Sequence, residues 1–338
     1  MNFQRVYSLI EGSRFDVCSK NCVFDPISYV YKTKGQEKMR LLKILMANEC
    51  KSDCKYCPNA WRKGFSLSPN ELARLFFAML EKNLVDGIFI SSSINADVEK
   101  VMENIIEAGK IIREQFKGYI HLKIMPGCSR DDIKRALEIA NRVSINAETT
   151  SQSIMDDLSS AKNLSLDILR RERWVAKEVR RFKKIGFRKS FTTQIIVGVG
   201  ESDVEIIKSL EKHYRLNASR VYFSAFTPIR GTPFENRKGE DVKRVANLYR
   251  VDALIRKYGF KAKDFVDLID RNLPRVDPKI LLAEKYGNPD LIHIPGVGFK
   301  AAKLLKNGYT LLDLKKMGFS IKRAIPYLTN QRRLTDFK

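Results

Sequence analysis

Six short apolar runs alternate with segments of helical period, and this alternation limits the folds open to the chain more than any other feature. The runs are RLLKILMAN (40–48), GIFISSS (87–93), YIHLKIM (119–125), RVSINAE (142–148), TTQIIVGVG (192–200) and RVYFSAFTP (220–228). Between them, SPNELARLFFAMLEKNL (68–84), ADVEKVMENIIEAGKIIREQF (96–116), RDDIKRALEIAN (130–141) and SDVEIIKSLEKHYRLN (202–217) carry apolar residues at helical spacing. The first of these opens on a cap signal, Ser68-Pro69. Strand–helix alternation implies an α/β fold with a parallel sheet and right-handed crossovers. Six such units suit a full or partial (β/α)6-type barrel, with a doubly wound open sheet as the alternative. In both, ligands sit at the carboxyl ends of the strands.

From about residue 241 the pattern turns helical, with turns at Leu273-Pro274 and Asp277-Pro278. The expected organisation is an N-terminal extension (1–39), a barrel core (40–240), a helical connector (241–288) and a small all-α module (289–338). No apolar run approaches the roughly 18–20 residues that cross a bilayer. The opening MNFQRVYSLIEGSR lacks the apolar core and cleavage site of a signal peptide, so a cytoplasmic protein without membrane partners is expected. The 62 Lys and Arg against 39 Asp and Glu give a net charge of +23, which favours nucleic acid as a partner. Part of the excess is local: LRRERWVAKEVRRFKKIGFRK (169–189) holds ten basic residues and two Glu. That stretch reads equally as a nucleic-acid patch or as a solvated helix face.

Three of the six cysteines, Cys50, Cys54 and Cys57, stand as C-x3-C-x2-C where the first strand enters a loop. Zinc needs a fourth Cys or His ligand, which the remaining residues could supply. The spacing fits better a four-iron four-sulfur (4Fe–4S) cluster with one iron left open to a small molecule. This motif, with Tyr56 before its last cysteine, resembles the signature of the radical S-adenosylmethionine (SAM) superfamily. The resemblance implies that the open iron chelates SAM, and that reductive cleavage gives a 5′-deoxyadenosyl radical for hydrogen abstraction. It also implies a flavodoxin- or ferredoxin-type reductant. It places SAM contacts at Tyr56, at Ser91, Ser92 and Ser93 after the second strand, and at Ser144, Asn146 and Glu148 at the end of the fourth. Val197 and Gly198 follow the fifth strand, and Ser224 and Phe226 the sixth. The serines replace the family's usual Gly-Gly-Glu. Cys128, after the third strand, is the candidate for a further catalytic residue.

IPGVG (294–298), followed by KAAKLL, resembles a helix-hairpin-helix. Pro295, Gly296, Val297 and Gly298 would turn the chain so that backbone N–H groups at a helix start meet a phosphate, with Lys300, Lys303 and Lys306 nearby. Helix-hairpin-helix glycosylases of the endonuclease III type also carry a cluster. They place four cysteines after the hairpin, whereas this chain has none after Cys128. Barrel and hairpin together, with FDVCS near the start, resemble a narrower group: radical SAM proteins assigned to DNA modification or repair and associated with a uracil-DNA-glycosylase-like partner. The expected function is therefore a radical SAM enzyme acting on duplex DNA. The alternatives are a radical SAM enzyme that modifies RNA such as tRNA, and a non-enzymatic DNA-binding repair adaptor with a structural cluster.

Overall fold

A computed structural model describes residues 3–16, 22–25, 30–33, 39–286 and 290–329; Cys18 lies outside them, and only the backbone of Cys22 is described. In chain order the first elements are α1 (Phe3–Gly12), β1 (Cys22–Asp25), β2 (Val30–Thr33), β3 (Arg40–Leu45), α2 (Pro69–Glu81), β4 (Gly87–Ser91), α3 (Val98–Gln115), β5 (Tyr119–Lys123), α4 (Arg130–Ile139) and β6 (Arg142–Ser144). They continue with α5 (Gln152–Leu158), a π-helical turn (Leu164–Leu169), α6 (Arg170–Lys184), β7 (Ser190–Val197), α7 (Asp203–Arg215) and β8 (Arg220–Ala225). Each of the six apolar runs has become a strand, β3 to β8.

The strands form one eight-stranded sheet in sequence order. β3 to β8 are parallel, and β1 and β2 add antiparallel strands at the β3 edge. The sheet is thus two strands wider than the sequence suggested. The extra pair comes from the extension, where four-residue strands leave little periodicity to read. Residues from all six parallel strands or the loops that leave them line a single cavity. Six flat strands would span about 24 Å, so the sheet curls around that cavity.

Local chemistry sets the element ends. Ser68 accepts from the Glu71 N–H and Glu71 accepts from the Ser68 N–H, a capping box that starts α2 with Pro69 in its first turn. Ser129 and Asp132 do the same for α4. On the outer side of the sheet, Ile44, Ile88, Ile90, Ile120, Leu122 and Val143 are fully buried and share one core with residues of α2, α3, α4 and α6. Each such side chain contributes about 1.5–3 kcal/mol. Gly87 is required where β4 meets β5, since a Cβ would stand 2.7 Å from the Tyr119 carbonyl oxygen.

The chain divides into two compact units, Met1–Glu201 with Lys212–Asp241, and Ser202–Glu211 with Val242–Lys338. The second unit contains α8 (Val242–Tyr258), α9 (Ala262–Val266), α10 (Pro278–Tyr286), α11 (Phe299–Lys306), α12 (Leu311–Lys316) and α13 (Ile325–Thr329). Asp203, fully buried, ties its parts together by accepting from Arg244 Nε at 2.9 Å and Leu273 N at 2.8 Å. Leu291, Ile294, Val297, Ala301, Leu305 and Leu314 form a small core of their own. No helix among the described residues is long and apolar enough to cross a membrane.

Candidate active site

The loop that leaves β3 carries the three cysteines and is braced from several directions. Backbone bonds run from Cys50 N to Asn59 O (2.8 Å), from Lys51 N to Ile94 O (2.7 Å) and from Lys55 N to Leu158 O (2.9 Å). Trp61 Nε1 donates to Cys54 O at 2.9 Å. Asp53 accepts from the Ser159 and Ser160 hydroxyls and from the Ser160 and Ala161 N–H groups, fixing the loop to the end of α5. Burial pushes the Asp53 carboxyl up, but these hydrogen bonds outweigh it and hold the group well below the usual range. Gly64 lies so close to the loop that a Cβ there would stand 2.6 Å from Glu49 N.

All three cysteines line the cavity, whose volume is about 180 Å3. Burial raises the Cys50 thiol, and burial followed by the charge of Cys54 pushes Cys57 up to about 12. Lys162 stands 3.7 Å from Glu148 and lines the cavity beside Cys54. Burial opposes its charge, but Cys54 and Glu148 reverse the effect and raise its pKa. Tyr56 lines the same cavity; burial, then the Glu148 charge, pushes its hydroxyl well above the usual value. Glu148 itself is left-handed, with φ 63, and is clamped to β7 by Glu148 N to Gln194 O (3.0 Å) and Ile196 N to Glu148 O (2.8 Å). A non-glycine residue in that conformation is strained, a feature that gathers at functional sites.

Inward-pointing side chains carry the polar chemistry deeper. Lys123 Nζ meets Asp16 Oδ1 and Asn146 Oδ1, both at 2.6 Å, and Ser91 Oγ donates to Asp16 Oδ2 at 2.7 Å. Asp16 belongs to the lead-in segment before the sheet; burial raises its pKa, but Lys123 outweighs this and lowers it. Lys43, fully buried, has its ammonium 4.2 Å from the Tyr31 ring centre, and burial lowers its pKa to about 7. His121 stacks on Phe89 at 3.9 Å, and burial pushes its pKa well down.

Of the SAM contacts read from sequence, Tyr56, Ser91, Ser92, Ser93, Asn146, Glu148, Ser224 and Phe226 line the cavity. Ser144 does not: it points below the cavity and bonds His121 Nε2 at 2.9 Å. Nor do Val197 and Gly198. Val197 is fully buried. Gly198, at φ 101, packs on Glu240, and its N–H donates to Glu201 at 2.6 Å. Cys128 also lies away from the cavity, within the apolar core, where burial pushes its thiol up to about 12. Phe15, Asp16, Lys123, Lys162 and Gln194 line the cavity but were not read from sequence. A lysine and a glutamine inside the apolar runs YIHLKIM and TTQIIVGVG were the available signals. Lys162 had none, because only the fold brings the segment before the π-helical turn to the cysteines.

In the second unit, a single 3-10 turn (Leu291–His293) leads into residues 294–298. Pro295 and Val297 are buried, so their side chains anchor the turn rather than face a ligand. Gly296 is exposed at φ 82, and Gly298 stands at the N-terminal boundary of α11 with no side-chain cap. Lys300 and Lys303 are exposed, while Lys306 pairs with Asp290 at 3.3 Å.

Comparison with known proteins places the first unit. A family model described as the Radical SAM superfamily matches residues 44–213. No curated protein matches the chain in sequence. Among solved structures, methylornithine synthase (PylB) aligns with a TM-score of 0.51 at 17% identity, covering 63% of this chain and 62% of that one. The hydrogenase maturase HydG from Carboxydothermus hydrogenoformans aligns at 0.49 and 14%, covering 64% and 51%. Streptococcus suis SuiB bound to S-adenosylmethionine aligns at 0.48 and 13%, covering 64% and 48%. The chain thus spans under two thirds of each of these proteins, and the likeness concerns the fold. The family's cofactors are a 4Fe–4S cluster and SAM, and the residues present suit them: three soft thiol donors at a cavity that also offers a cation, a carboxylate and an aromatic ring. No three His, Cys, Asp or Glu side chains among the described residues could hold a single metal ion; in a cubane cluster each iron takes its own thiolate. The match over half the chain, falling on the strands whose ends surround the three thiols, establishes that the chain belongs to the radical SAM superfamily.

Proposed function

We propose that the chain is a radical SAM enzyme acting on duplex DNA, in modification or repair, with the C-terminal turn as a grip on the phosphate backbone. The observation that carries this reading is the geometry at residues 294–298. Gly296 occupies a left-handed conformation and Gly298 brings a bare backbone to the start of α11. The first N–H groups of a helix lack intrahelical acceptors and favour an anion, and Lys300 and Lys303 add charge beside them. The resemblance to the narrower group linked to a uracil-DNA-glycosylase-like partner supports the same reading, as does the net charge of +23.

When bound, the cofactors supply reductive cleavage of SAM and abstraction of a hydrogen atom, with electrons from a flavodoxin- or ferredoxin-type donor. The chain's own residues hold and orient them. Cys50, Cys54 and Cys57 would hold the cluster as thiolates, and burial raises the thiols of Cys50 and Cys57 that would have to ionise. Lys162 and Glu148 offer opposite charges to the carboxylate and ammonium of SAM, and Phe226 offers a ring face to adenine. Asp53 and Trp61 keep the cysteine loop in register with them.

The test uses the reconstituted full chain and a fluorescein-labelled DNA duplex. Replacing Gly298 with Val keeps an allowed φ of −101, and the added Cβ meets nothing nearer than Tyr258 Oη at 3.6 Å. Duplex affinity is expected to fall about tenfold, or about 1.4 kcal/mol, and duplex DNA to stimulate 5′-deoxyadenosine formation with dithionite. Unchanged affinity, or displacement of the duplex by equimolar tRNA, would overturn the reading.

A further inference from the structure

The structure settles how the basic segment that precedes β7 presents its charge. Both acids of α6 face inward. Glu172 is fully buried and bonds His213 Nδ1 at 2.9 Å. Glu178, 3% exposed, is held by Arg130 at 3.0 Å and Arg181 at 3.2 Å. Arg171 also turns in, donating to the carbonyl oxygens of Gly127, Cys128 and Leu166. Five of the helix's exposed cations, Arg170, Arg173, Lys177, Arg180 and Lys184, stand at successive steps of three, four, three and four, with exposed Arg181 and Lys183 off that row. Those steps place them in one row along the helix. None of the five is in an ion pair among the described residues.

We propose that this row is a second contact for the backbone of duplex DNA, distinct from the turn at 294–298. The inference rests on the DNA reading above and goes beyond it by assigning a surface of the first unit to the same partner. At 1.5 Å per residue the row is about 21 Å long, enough to lie along several phosphates of a duplex backbone. Like charges four residues apart destabilise a helix, and a polyanion of regular spacing relieves that repulsion along the whole row. An acidic protein surface offers no such repeat. The contact reads no sequence, since its groups are charges without fixed hydrogen-bond partners. α6 follows the segment that carries Lys162 to the cavity, so its first cations lie close in sequence to a cavity residue.

The experiment measures duplex affinity against salt for the reconstituted chain. Arg173→Gln, Lys177→Gln, Arg180→Gln and Lys184→Gln are tested singly and together, with the SAM-induced change of the cluster spectrum as the control for folding. Each single change is expected to reduce the slope of log affinity against log salt by about 0.9, and the combined variant by about 3 to 4. Unchanged slopes, in a protein whose binding still falls with Gly298→Val, would overturn the row and leave the DNA reading standing. Absence of duplex binding by the unaltered protein would overturn both. If the combined variant does not fold, the four single slopes decide.

Discussion

Two loops in this chain resemble known ligand loops, and they are built in opposite ways. The cysteine loop at 50–57 is bonded to residues far along the chain, at Ile94, Leu158, Ser159 and Ser160. The turn at 294–298 is held within its own unit, with Val297 N donating to Ile294 O at 3.0 Å and Lys279 Nζ donating to Val297 O at 2.6 Å. Under the proposed function the first loop places three ligands around a rigid cluster and needs fixed side-chain positions, which long-range bonds supply. Under the same proposal the turn meets a phosphate through backbone N–H groups and needs one left-handed residue, which Gly296 provides locally at φ 82.

The largest expected effect tests the first loop. Replacing any one of Cys50, Cys54 or Cys57 by Ala should reduce iron bound after anaerobic reconstitution from about four per chain to below one. Retention of iron by all three variants would remove the cysteines from the cluster and the comparison with them.

A smaller effect concerns the bracing. Asp53→Ala strips the acceptor from four donors and should cost about 1.5 kcal/mol, measured by urea unfolding with the fluorescence of Trp61 and Trp174. The Asp53 pKa is depressed in the folded state, so its contribution is full above the ordinary value of 3.8 and is lost as pH falls below it. The gap between the unaltered protein and the variant should therefore be constant from pH 7 to 5 and close below about pH 4. A gap that persists at low pH would show that packing, and not the ionised carboxylate, holds the loop.

The smallest effect concerns the turn. Gly296→Ala places a side chain at φ 82, with its Cβ 3.1 Å from that of Arg323. Its cost should be about 1 kcal/mol, read as faster amide exchange in α11 while the tryptophan-monitored midpoint holds. Equal loosening of both units would contradict the local character assigned to this loop.

Different physics made some parts legible in the sequence and others not. β3 to β8 were legible because each is a short apolar run, buried on its outer face, and α2 because its capping box lies within four residues. The cysteine motif was legible because its three residues lie within the short stretch 50–57. The hairpin strands β1 and β2 were not, since strands of four residues have too little pattern. The resemblance makes Val197 and Gly198 SAM contacts; neither lines the cavity, and the Gly198 and Val199 N–H groups fold onto Glu201 at 2.6 and 2.9 Å. The place of Cys128 after a strand leaves a substrate contact and buried packing both open, and the structure puts it in the core.

The sequence by itself determined the six parallel strands and the family, because each depends on residues close together in the chain. Only the tertiary structure decided which charges meet. Asp16 and Lys123 stand 107 residues apart and bond at 2.6 Å. Glu172 is turned inward to His213, 41 residues away, and leaves the outer row of α6 purely cationic. Such pairings depend on how the sheet curls and which helix face packs, and burial then fixes their protonation. Local pattern carries no record of either.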